Sequence, residues 1–295
     1  MCLGLDTPPA HGQSTGAHRY LRAVPSRDEP TFSDAIELQP RGAGHFDGSI
    51  IPGWDVRGIP HGGYLLAMLA RAACLEADKP DPISIAANFL APPEFGPARL
   101  TAGVIRSGKR QSTLSVRMVQ ADVVRVDATV TVGTVADGEP RAWSADAVAP
   151  LLPDPQDCID LAAASRGGDD PGVALHDRLD LRLHPSTGWM SEQPSGSPVL
   201  DGWLRLHDET DPDLFALLMF SDGFPPSIFE ATGRAVGHVP TVQLTTHVFA
   251  RPAPGWIQSR CRTRVQGNGF VDEDCELWDS MGRLVATARQ LALLR

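Results

Sequence analysis

Apolar residues follow two different periods along this chain, and the change of period separates predicted helices from predicted strands. Between residues 61 and 77 they recur at spacings of three and four, which predicts a helix. The apolar positions of this segment are Leu65, Met68, Leu69, Ala72 and Ala73. Pro60 precedes the segment, and Lys79 and Pro80 follow it, so both of its ends carry residues typical of helix boundaries.

Apolar and polar residues alternate in most of the remaining segments, which is the pattern of half-buried strands. In the first half of the chain these segments are residues 83–90, 98–106, 112–121 and 123–132. In the second half they are residues 180–184, 202–208, 242–249, 256–265, 271–278 and 284–293. A second, shorter helix is predicted after Asp211 and Pro212, which would form its N-cap and first turn. One helix and a run of antiparallel strands in each half predict a sheet wrapped around each helix.

The two halves of the chain match each other at a constant offset of 159 residues. Residues 87–132 align without a gap on residues 246–291. The matched pairs include Pro93 with Pro252, Gly96 with Gly255, Gly108 with Gly267 and Val126 with Val285. Prolines and glycines mark turns, so their agreement between strand-like segments indicates an internal duplication.

These patterns divide the chain into a flexible tail (residues 1–30), a first unit (31–137), a linker (138–175) and a second unit (176–295). The tail is polar, rich in Pro, Gly and Ser, and shows no periodicity. It contains the G-x-S-x-G sequence around Ser14, but that motif requires a preceding strand and a following helix. Ser14 is therefore not expected to act as a nucleophile. Several prolines interrupt the linker.

Composition and charge exclude several classes of partner. A net charge of −10 argues against binding of nucleic acid, whose phosphates favour a basic surface. The chain has neither an apolar run long enough to span a membrane nor a signal peptide, so we expect a cytoplasmic protein without membrane attachment. Its five cysteines are far apart, and we expect free thiols and no metal site. They are Cys2, Cys74, Cys158, Cys261 and Cys275.

Three motifs of the second half recur in one known family. They are WLRLHDETDPDLFALLMFSDGF (203–224), PTVQLTTHVFARP (240–252) and GRLVATARQLALLR (282–295). These segments resemble the acyl-CoA thioesterase II (TesB-like) family, in which a helix with an S-D pair, a T-x-D-H strand before an R-P turn and a V-A-x-x-x-Q strand occur in this order. The resemblance covers most of residues 178–295 and, more weakly, residues 45–135. It implies an α+β double hotdog fold, two tandem units that each wrap a long helix in a curved antiparallel sheet.

The resemblance also implies a catalytic triad. The family's Asp, Thr and Gln fall on Asp222, Thr241 and Gln290, which would activate water without a metal or an organic cofactor. In thioester hydrolysis a carboxylate can take a proton from water, while a hydroxyl and an amide hold that water in line with the carbonyl. Against this role, Asp222 precedes Gly223 and could simply cap a short helix that begins there.

Two departures from the family's pattern lie close to Thr241. Gln243 stands where the family often has an acid, and one residue is inserted before Arg251. Thr245 and Thr246 are therefore alternatives to Thr241. In the first copy, the same offset sets Pro82 against Thr241 and Thr131 against Gln290, so the triad is expected only in the second copy.

The predicted long helix begins with His61, Gly62 and Gly63, which resemble the H-G-G of single-hotdog thioesterases. Those proteins carry a carboxylate about three turns into the helix, whereas residues 64–75 contain none. We therefore expect His61 to cap the helix or line the substrate pocket, and the two glycines to let backbone approach the substrate. The N–H groups of Gly62 and Gly63 lie in the first helical turn, where they are candidate oxyanion donors.

The prediction that follows is an acyl-CoA thioesterase that converts fatty acyl-CoA to free acid and CoA. A non-catalytic hotdog protein that binds acyl-CoA is one alternative. A hotdog hydratase or dehydratase is another, but its D-x-N-P-x-H signature is incomplete here because Phe224 and Ser227 replace the Asn and the His. Arg262 and Arg264 share a strand face and are either CoA-phosphate ligands or solvated charges. Further assembly of double-hotdog units into homo-oligomers is left open.

Overall fold

The computed structural model describes residues 30–136, 147–165, 173–191, 193–233 and 238–294. The tail with Ser14 and Cys2 lies outside these residues, so the predictions made for it are not tested.

The first half of the chain forms one long helix and a meander of strands. Its elements are α1 (Phe32–Ala35), β1 (Gln39–Gly42), β2 (His45–Ile50), β3 (Asp55–Val56), β4 (Ile59–Pro60), α2 (Gly62–Ala77), β5 (Asp81–Phe89), β6 (Gly96–Arg106), β7 (Gln111–Gln120) and β8 (Val123–Gly133). The predicted helix and the four strands after it are confirmed, with small shifts at their ends.

Helix α2 is buried on nearly all sides, as expected for a helix whose residues are apolar around its whole circumference. The side chains of Leu65, Leu66 and Leu69 are at most 1% exposed, and each such burial contributes roughly 1.5–3 kcal/mol. The Tyr64 hydroxyl donates to the carbonyl of Ala35 over 3.0 Å, which satisfies its polar atom inside the core. Strands β5 to β8 pack against this helix.

The second half repeats the plan with a shorter helix. Its elements are β9 (Ile159–Asp160), α3 (Leu161–Ser165), β10 (Leu179–Leu183), β11 (Val199–Leu206), α4 (Leu214–Phe220), α5 (Phe229–Thr232), β12 (Thr241–Val248), β13 (Ile257–Gly267), β14 (Phe270–Trp278) and β15 (Leu284–Leu293). The described part of the predicted linker is thus not free of secondary structure, because β9 pairs with β10. The boundaries of the units remain a prediction.

The strands of both halves join in one antiparallel sheet. Among the described residues its order is β1-β2-β6-β7-β8-β5-β12-β15-β14-β13-β11-β10-β9. The sequence β2-β6-β7-β8-β5 is mirrored by β11-β13-β14-β15-β12, and the two copies meet where β5 pairs with β12. This arrangement confirms the duplication. Helices α2 and α4 pack against each other inside the sheet.

The start of α4 differs from the prediction. Its N-cap is Asp213, whose carboxylate accepts a hydrogen bond from the Ala216 N–H group over 2.7 Å. The helix therefore begins two residues later than a start at Pro212 would require. Asp211 instead accepts a hydrogen bond from the Gly255 N–H group, so it fixes a loop of the neighbouring strands.

The helices of the described residues include none that is long and apolar enough to cross a membrane.

Candidate active site

Asp222 lies at the end of the short helix of the second copy and contacts the start of the long helix of the first. It follows the C-cap Ser221 of α4. Its Oδ2 atom accepts a hydrogen bond from the Gly63 N–H group over 3.1 Å and lies 3.4 Å from His61 Nε2. His61 Nε2 is also 2.7 Å from the carbonyl oxygen of Asp222. The fold thus brings four of the predicted site residues together: Asp222, His61, Gly62 and Gly63.

The contact explains how α2 is capped. The N-cap residue His61 makes no side-chain capping bond, and the carboxylate of Asp222 takes that place from the other copy. The short helix after Gly223 is α5, which begins at Phe229 with Ile228 as its N-cap, so the alternative in which Asp222 caps that helix is wrong. The Gly63 N–H group, which we expected to be an oxyanion donor, donates to Asp222 instead.

The two glycines are required by close packing at this contact. A Cβ atom on Gly63 would lie 2.5 Å from the carbonyl oxygen of Met219 and 2.9 Å from that of Leu218. A Cβ atom on Gly62 would lie 2.7 Å from Asp222 Oδ2. Gly63 therefore lets α2 approach the backbone of α4, and Gly62 leaves room for the carboxylate.

Burial raises the pKa of Asp222 above the usual carboxyl range. The nearby His61 and the N–H groups of Gly63 and Gly62 oppose the shift without cancelling it. The side chain of Asp222 as a whole is 13% exposed. His61 has a further polar atom at the site, because its Nδ1 is buried without a hydrogen-bond partner among the described residues.

Thr241 and Gln290 lie on the two adjacent strands β12 and β15 and contact each other directly. The Thr241 hydroxyl donates to Gln290 Oε1 over 2.8 Å. Residues three apart normally face opposite sides of a strand, but Thr241, which is paired with the buried Ala292, faces inward like the buried Leu244. The reason is a register shift between Thr241 and Gln243, a bulge that turns Thr241 toward the interior.

The alternatives to Thr241 point elsewhere. The Thr246 side chain is fully buried, and its hydroxyl lies 2.9 Å from the hydroxyl of Ser221. Thr246 thus fixes the end of α4 on β12. Thr245 alternates with Leu244 and Thr246 and faces the other side of the sheet. Gln243, which replaces the family's acid, is exposed.

Glu273 is a buried acid at this site that the sequence patterns did not bring to attention. It lies on β14 opposite Gln290 and is 6% exposed. Its Oε1 accepts a hydrogen bond from Gln290 Nε2 over 2.8 Å, and its Oε2 accepts one from the Ser227 N–H group over 2.6 Å. The Ser227 hydroxyl also donates to Oε2 and lies 3.0 Å from that of Thr263.

The two buried carboxylates interact electrostatically. Burial raises the pKa of Glu273, and hydrogen bonds from Ser227 and Gln290 oppose this effect. The negative charge of Asp222 raises the pKa of Glu273 further. The pair of Thr241 and Gln290 is hydrogen-bonded to Glu273, and among the described residues no hydrogen bond joins Thr241 or Gln290 to Asp222.

The first copy has no polar counterpart of this network. Its strand β5 carries a bulge at the equivalent place, between Pro82 and Ser84, so Pro82 corresponds to Thr241 as predicted. The residues equivalent to Glu273 and Gln290 are the paired Leu114 and Val130, both fully buried. Thr131 is therefore not the counterpart of Gln290. The turn between β14 and β15 is one residue longer than the turn between β7 and β8. The extra residue shifts the alignment of β15 with β8 by one position, and a shift of one residue moves a side chain to the other face of the sheet.

The arginines of β13 are engaged in ion pairs. Arg262 lies 3.9 Å from Asp274 and 3.6 Å from Glu276, and Arg264 pairs with Asp274. These contacts favour the interpretation that Arg262 and Arg264 form ion pairs on the surface of the strand over the interpretation that they bind the phosphates of CoA.

Two fused helix-and-sheet units with a site at their junction define a double hotdog protein of the α+β class. Models of the acyl-CoA thioesterase N-terminal and C-terminal domains match residues 50–133 and 155–294. Together they cover more than half of the chain, which therefore belongs to the acyl-CoA thioesterase family.

Similar proteins extend over most of the chain. An uncharacterized protein of Mycobacterium tuberculosis is 31% identical over 269 residues, which are 84% of this chain and 90% of that protein. A structure described as a candidate thioesterase II of Thermobifida fusca is 28% identical, with a TM-score of 0.79, and the match covers 90% of this chain and 99% of that one. A protein with a hotdog fold from Alicyclobacillus acidocaldarius is 24% identical, with a TM-score of 0.77, over 90% of this chain and 97% of that one.

The raised pKa of Asp222 leads to a prediction about stability. Between its unfolded and folded pKa values the folded protein binds more protons than the unfolded chain, so the free energy of unfolding decreases as pH rises. When the pH is raised from acid to neutral, we expect the free energy of unfolding to decrease less in Asp222→Asn than in the wild type. Urea denaturation of both proteins at a series of pH values measures this difference. An identical pH dependence of the two proteins would contradict the prediction.

Proposed function

We propose that this protein hydrolyses fatty acyl-CoA thioesters to a free acid and CoA, with Asp222, Thr241 and Gln290 as catalytic residues. The proposal is supported above all by one observation, the nearly buried Asp222 carboxylate at the N-terminus of α2. A carboxyl group whose pKa lies above its usual range is a stronger base once ionised, which suits proton transfer from water at neutral pH.

The proposed reaction proceeds by direct attack of water. The water oxygen forms a bond to the thioester carbonyl carbon while Asp222 takes its proton. The carbon–sulfur bond then breaks, and the CoA thiolate takes the proton back from Asp222. Thr241 and Gln290 orient the water, and the N-terminus of α2 adds partial positive charge beside the oxygen that becomes negative. His61, Gly62 and Gly63 line the side of the pocket that the thioester would occupy.

The alternative of a hydratase or dehydratase is less well supported. That chemistry needs a second titratable group at the position of Ser227. Ser227 is fully buried and hydrogen-bonded to Glu273. A serine so placed has no group that could replace an imidazole as acid or base.

The assay that tests the proposal uses a panel of CoA thioesters of increasing acyl chain length and a reagent that detects free thiols. We expect the wild-type protein to release CoA from at least one of them. Calorimetric titration with a non-hydrolysable CoA thioether separates the two remaining outcomes. If the protein binds the thioether but releases CoA from no thioester, it is a non-catalytic acyl-CoA-binding protein. If it neither binds the thioether nor releases CoA, both hypotheses are rejected.

A second prediction concerns the choice among the threonines. We expect Thr241→Val to lower kcat by roughly 100-fold, because valine has the same shape but cannot orient water. Thr245→Val is the matched control, since it makes the same change on the same strand but on its other face. If kcat falls equally in the two variants, or falls only in Thr245→Val, Thr241 has no catalytic role.

A further inference from the structure

Glu273 is a buried carboxylate for which the proposed reaction has no use. Three hydrogen-bond donors surround it: Gln290 Nε2 at Oε1, and the N–H and hydroxyl groups of Ser227 at Oε2. With its oxygens bonded in this way, it is poorly placed to take a proton from water. The carboxylate nevertheless lies in direct contact with one proposed catalytic residue.

We propose that Glu273 is a positioning residue, which fixes the side-chain amide of Gln290 and, through it, the hydroxyl of Thr241. This inference rests on the proposed function for its effect on catalysis. Its geometrical part, the orientation of an amide, can be measured without turnover.

The physical argument begins with the chemistry of a carboxylate. The Oε1 atom of Glu273 accepts a hydrogen bond from Gln290 Nε2, so the amide nitrogen of Gln290 faces the carboxylate and the amide oxygen faces away. That oxygen lies 2.8 Å from the Thr241 hydroxyl, which has to donate its hydrogen to it. The Thr241 hydroxyl then offers only its lone pairs to water, while Gln290 keeps its second amide hydrogen. In the proposed reaction, Thr241 accepts a hydrogen bond from the water whose other proton passes to Asp222.

The other side of Glu273 is anchored. The Ser227 N–H group has a fixed direction, and its bond to Oε2 holds the carboxylate in place. Ser227 follows Asp222 by five residues, so the same short loop holds Asp222 at one end and Glu273 at the other. In the first copy, Leu114 stands at the position of Glu273, and Val130, its neighbour across the strands, stands at the position of Gln290. The carboxylate and the amide thus occur together in one copy and are replaced together in the other.

The decisive variant is Glu273→Gln. Its new side-chain oxygen must accept from the Ser227 N–H group, which leaves an NH2 group facing Gln290. The amide of Gln290 then turns over, and its NH2 group points at Thr241, which reverses the hydrogen bond of the hydroxyl. We expect kcat to fall roughly 10- to 100-fold. We expect KM to stay within about twofold of the wild-type value, because the lost orientation of the Thr241 hydroxyl is needed for the reaction and not for substrate binding. Glu276→Gln, an outward-facing acid of the same strand, is the matched control and should keep wild-type kinetics.

A double-mutant cycle distinguishes positioning from a general structural role. In a Thr241→Val background there is no hydroxyl to orient, so Glu273→Gln should lower the remaining kcat by no more than about twofold. A loss equal to that in the wild-type background would overturn the proposal. If Glu273→Gln does not fold, Glu273→Asp takes its place, because it keeps the charge but withdraws the carboxylate from Gln290. Unchanged kcat in that variant would also overturn the proposal.

An NMR measurement keeps the inference separate from the proposed function. The side-chain amide signals of Gln290 are assigned by their loss in Gln290→Ala. We expect one amide proton at the low-field position of a bond to a carboxylate, and we expect that shift to vanish in Glu273→Gln. If no thioester is hydrolysed and the signal moves, the proposed function fails and the positioning stands. If the signal does not move, the positioning fails whatever the activity.

Discussion

Asp222→Asn is expected to lower kcat by roughly 1,000-fold or more, because an amide cannot take a proton from water. The fold should survive the change, since the amide oxygen of asparagine can still accept the hydrogen bond from the Gly63 N–H group. We expect a melting temperature within about 3 °C of the wild type. Release of CoA measured with a thiol reagent, together with thermal unfolding, tests both parts.

Asp213→Asn is the matched control for this variant. The carboxylate of Asp213, like that of Asp222, accepts a hydrogen bond at a helix N-terminus and has a pKa raised by burial, and Asp213 lies only nine residues upstream of Asp222. It caps α4 and has no part in the proposed chemistry, so its amide variant should keep kcat near that of the wild type. Comparable losses in the two variants would mean that the effect of Asp222→Asn is structural, and wild-type activity of Asp222→Asn would exclude Asp222 as the base.

Replacing each of the two adjacent glycines by alanine should separate stability from activity. In Gly63→Ala the new methyl group would meet the backbone carbonyls of Met219 and Leu218, which cannot move independently of α4. We expect the free energy of unfolding to fall by about 1–3 kcal/mol. In Gly62→Ala the methyl group would meet the side chains of Asp222 and Phe89, which can shift more easily than backbone. We expect a smaller loss of stability than in Gly63→Ala, because only the cap on α2 is disturbed, and a loss of kcat of roughly 100-fold, because the base is displaced.

Chemical denaturation and initial-rate kinetics on both variants provide the measurement. Gly103→Ala is the control, since a Cβ atom at Gly103 has no neighbour within 4 Å among the described residues. It should change neither stability nor kcat. The interpretation of the junction would be wrong if Gly62→Ala were unstable and fully active, or if Gly63→Ala were as stable as the wild type.

Periodicity alone was enough to predict much of the fold. The spacing of apolar residues predicted α2, and alternation predicted the strands that surround it, because burial on one face dictates both patterns. The constant offset predicted two copies, which the mirrored strand order confirms. Resemblance to a family then selected Asp222, Thr241 and Gln290, and the catalytic roles of these residues remain a prediction.

The bulges were not predictable in the same way. A strand pattern assumes strict alternation, and the alternating segment was predicted to begin at residue 242. The register shift after Thr241 adds a residue that breaks the alternation, so the pattern cannot show that Thr241 faces inward. The extra residue in the turn between β14 and β15 had a similar effect, because it made Thr131 rather than Val130 the predicted counterpart of Gln290.

Glu273 was missed for a different reason. It stands between Asp272 and Asp274, and three consecutive acids are typical of a solvated strand. Alternation with Val271 and Cys275 nevertheless places it on the buried face, and this signal could have identified it. The bond between Asp222 and Gly63 joins residues 159 positions apart, and no local pattern contains information about such a contact.

The junction between α2 and Asp222 also determines how the site responds to dilution. In an assembly of separate units, a carboxylate from one and a helix terminus from the other would meet at a rate set by protein concentration. Here both belong to one chain, and their strands β5 and β12 are paired. The effective concentration of one for the other is therefore fixed by the covalent connection and the shared sheet. Dilution cannot separate the acid from the helix that holds it.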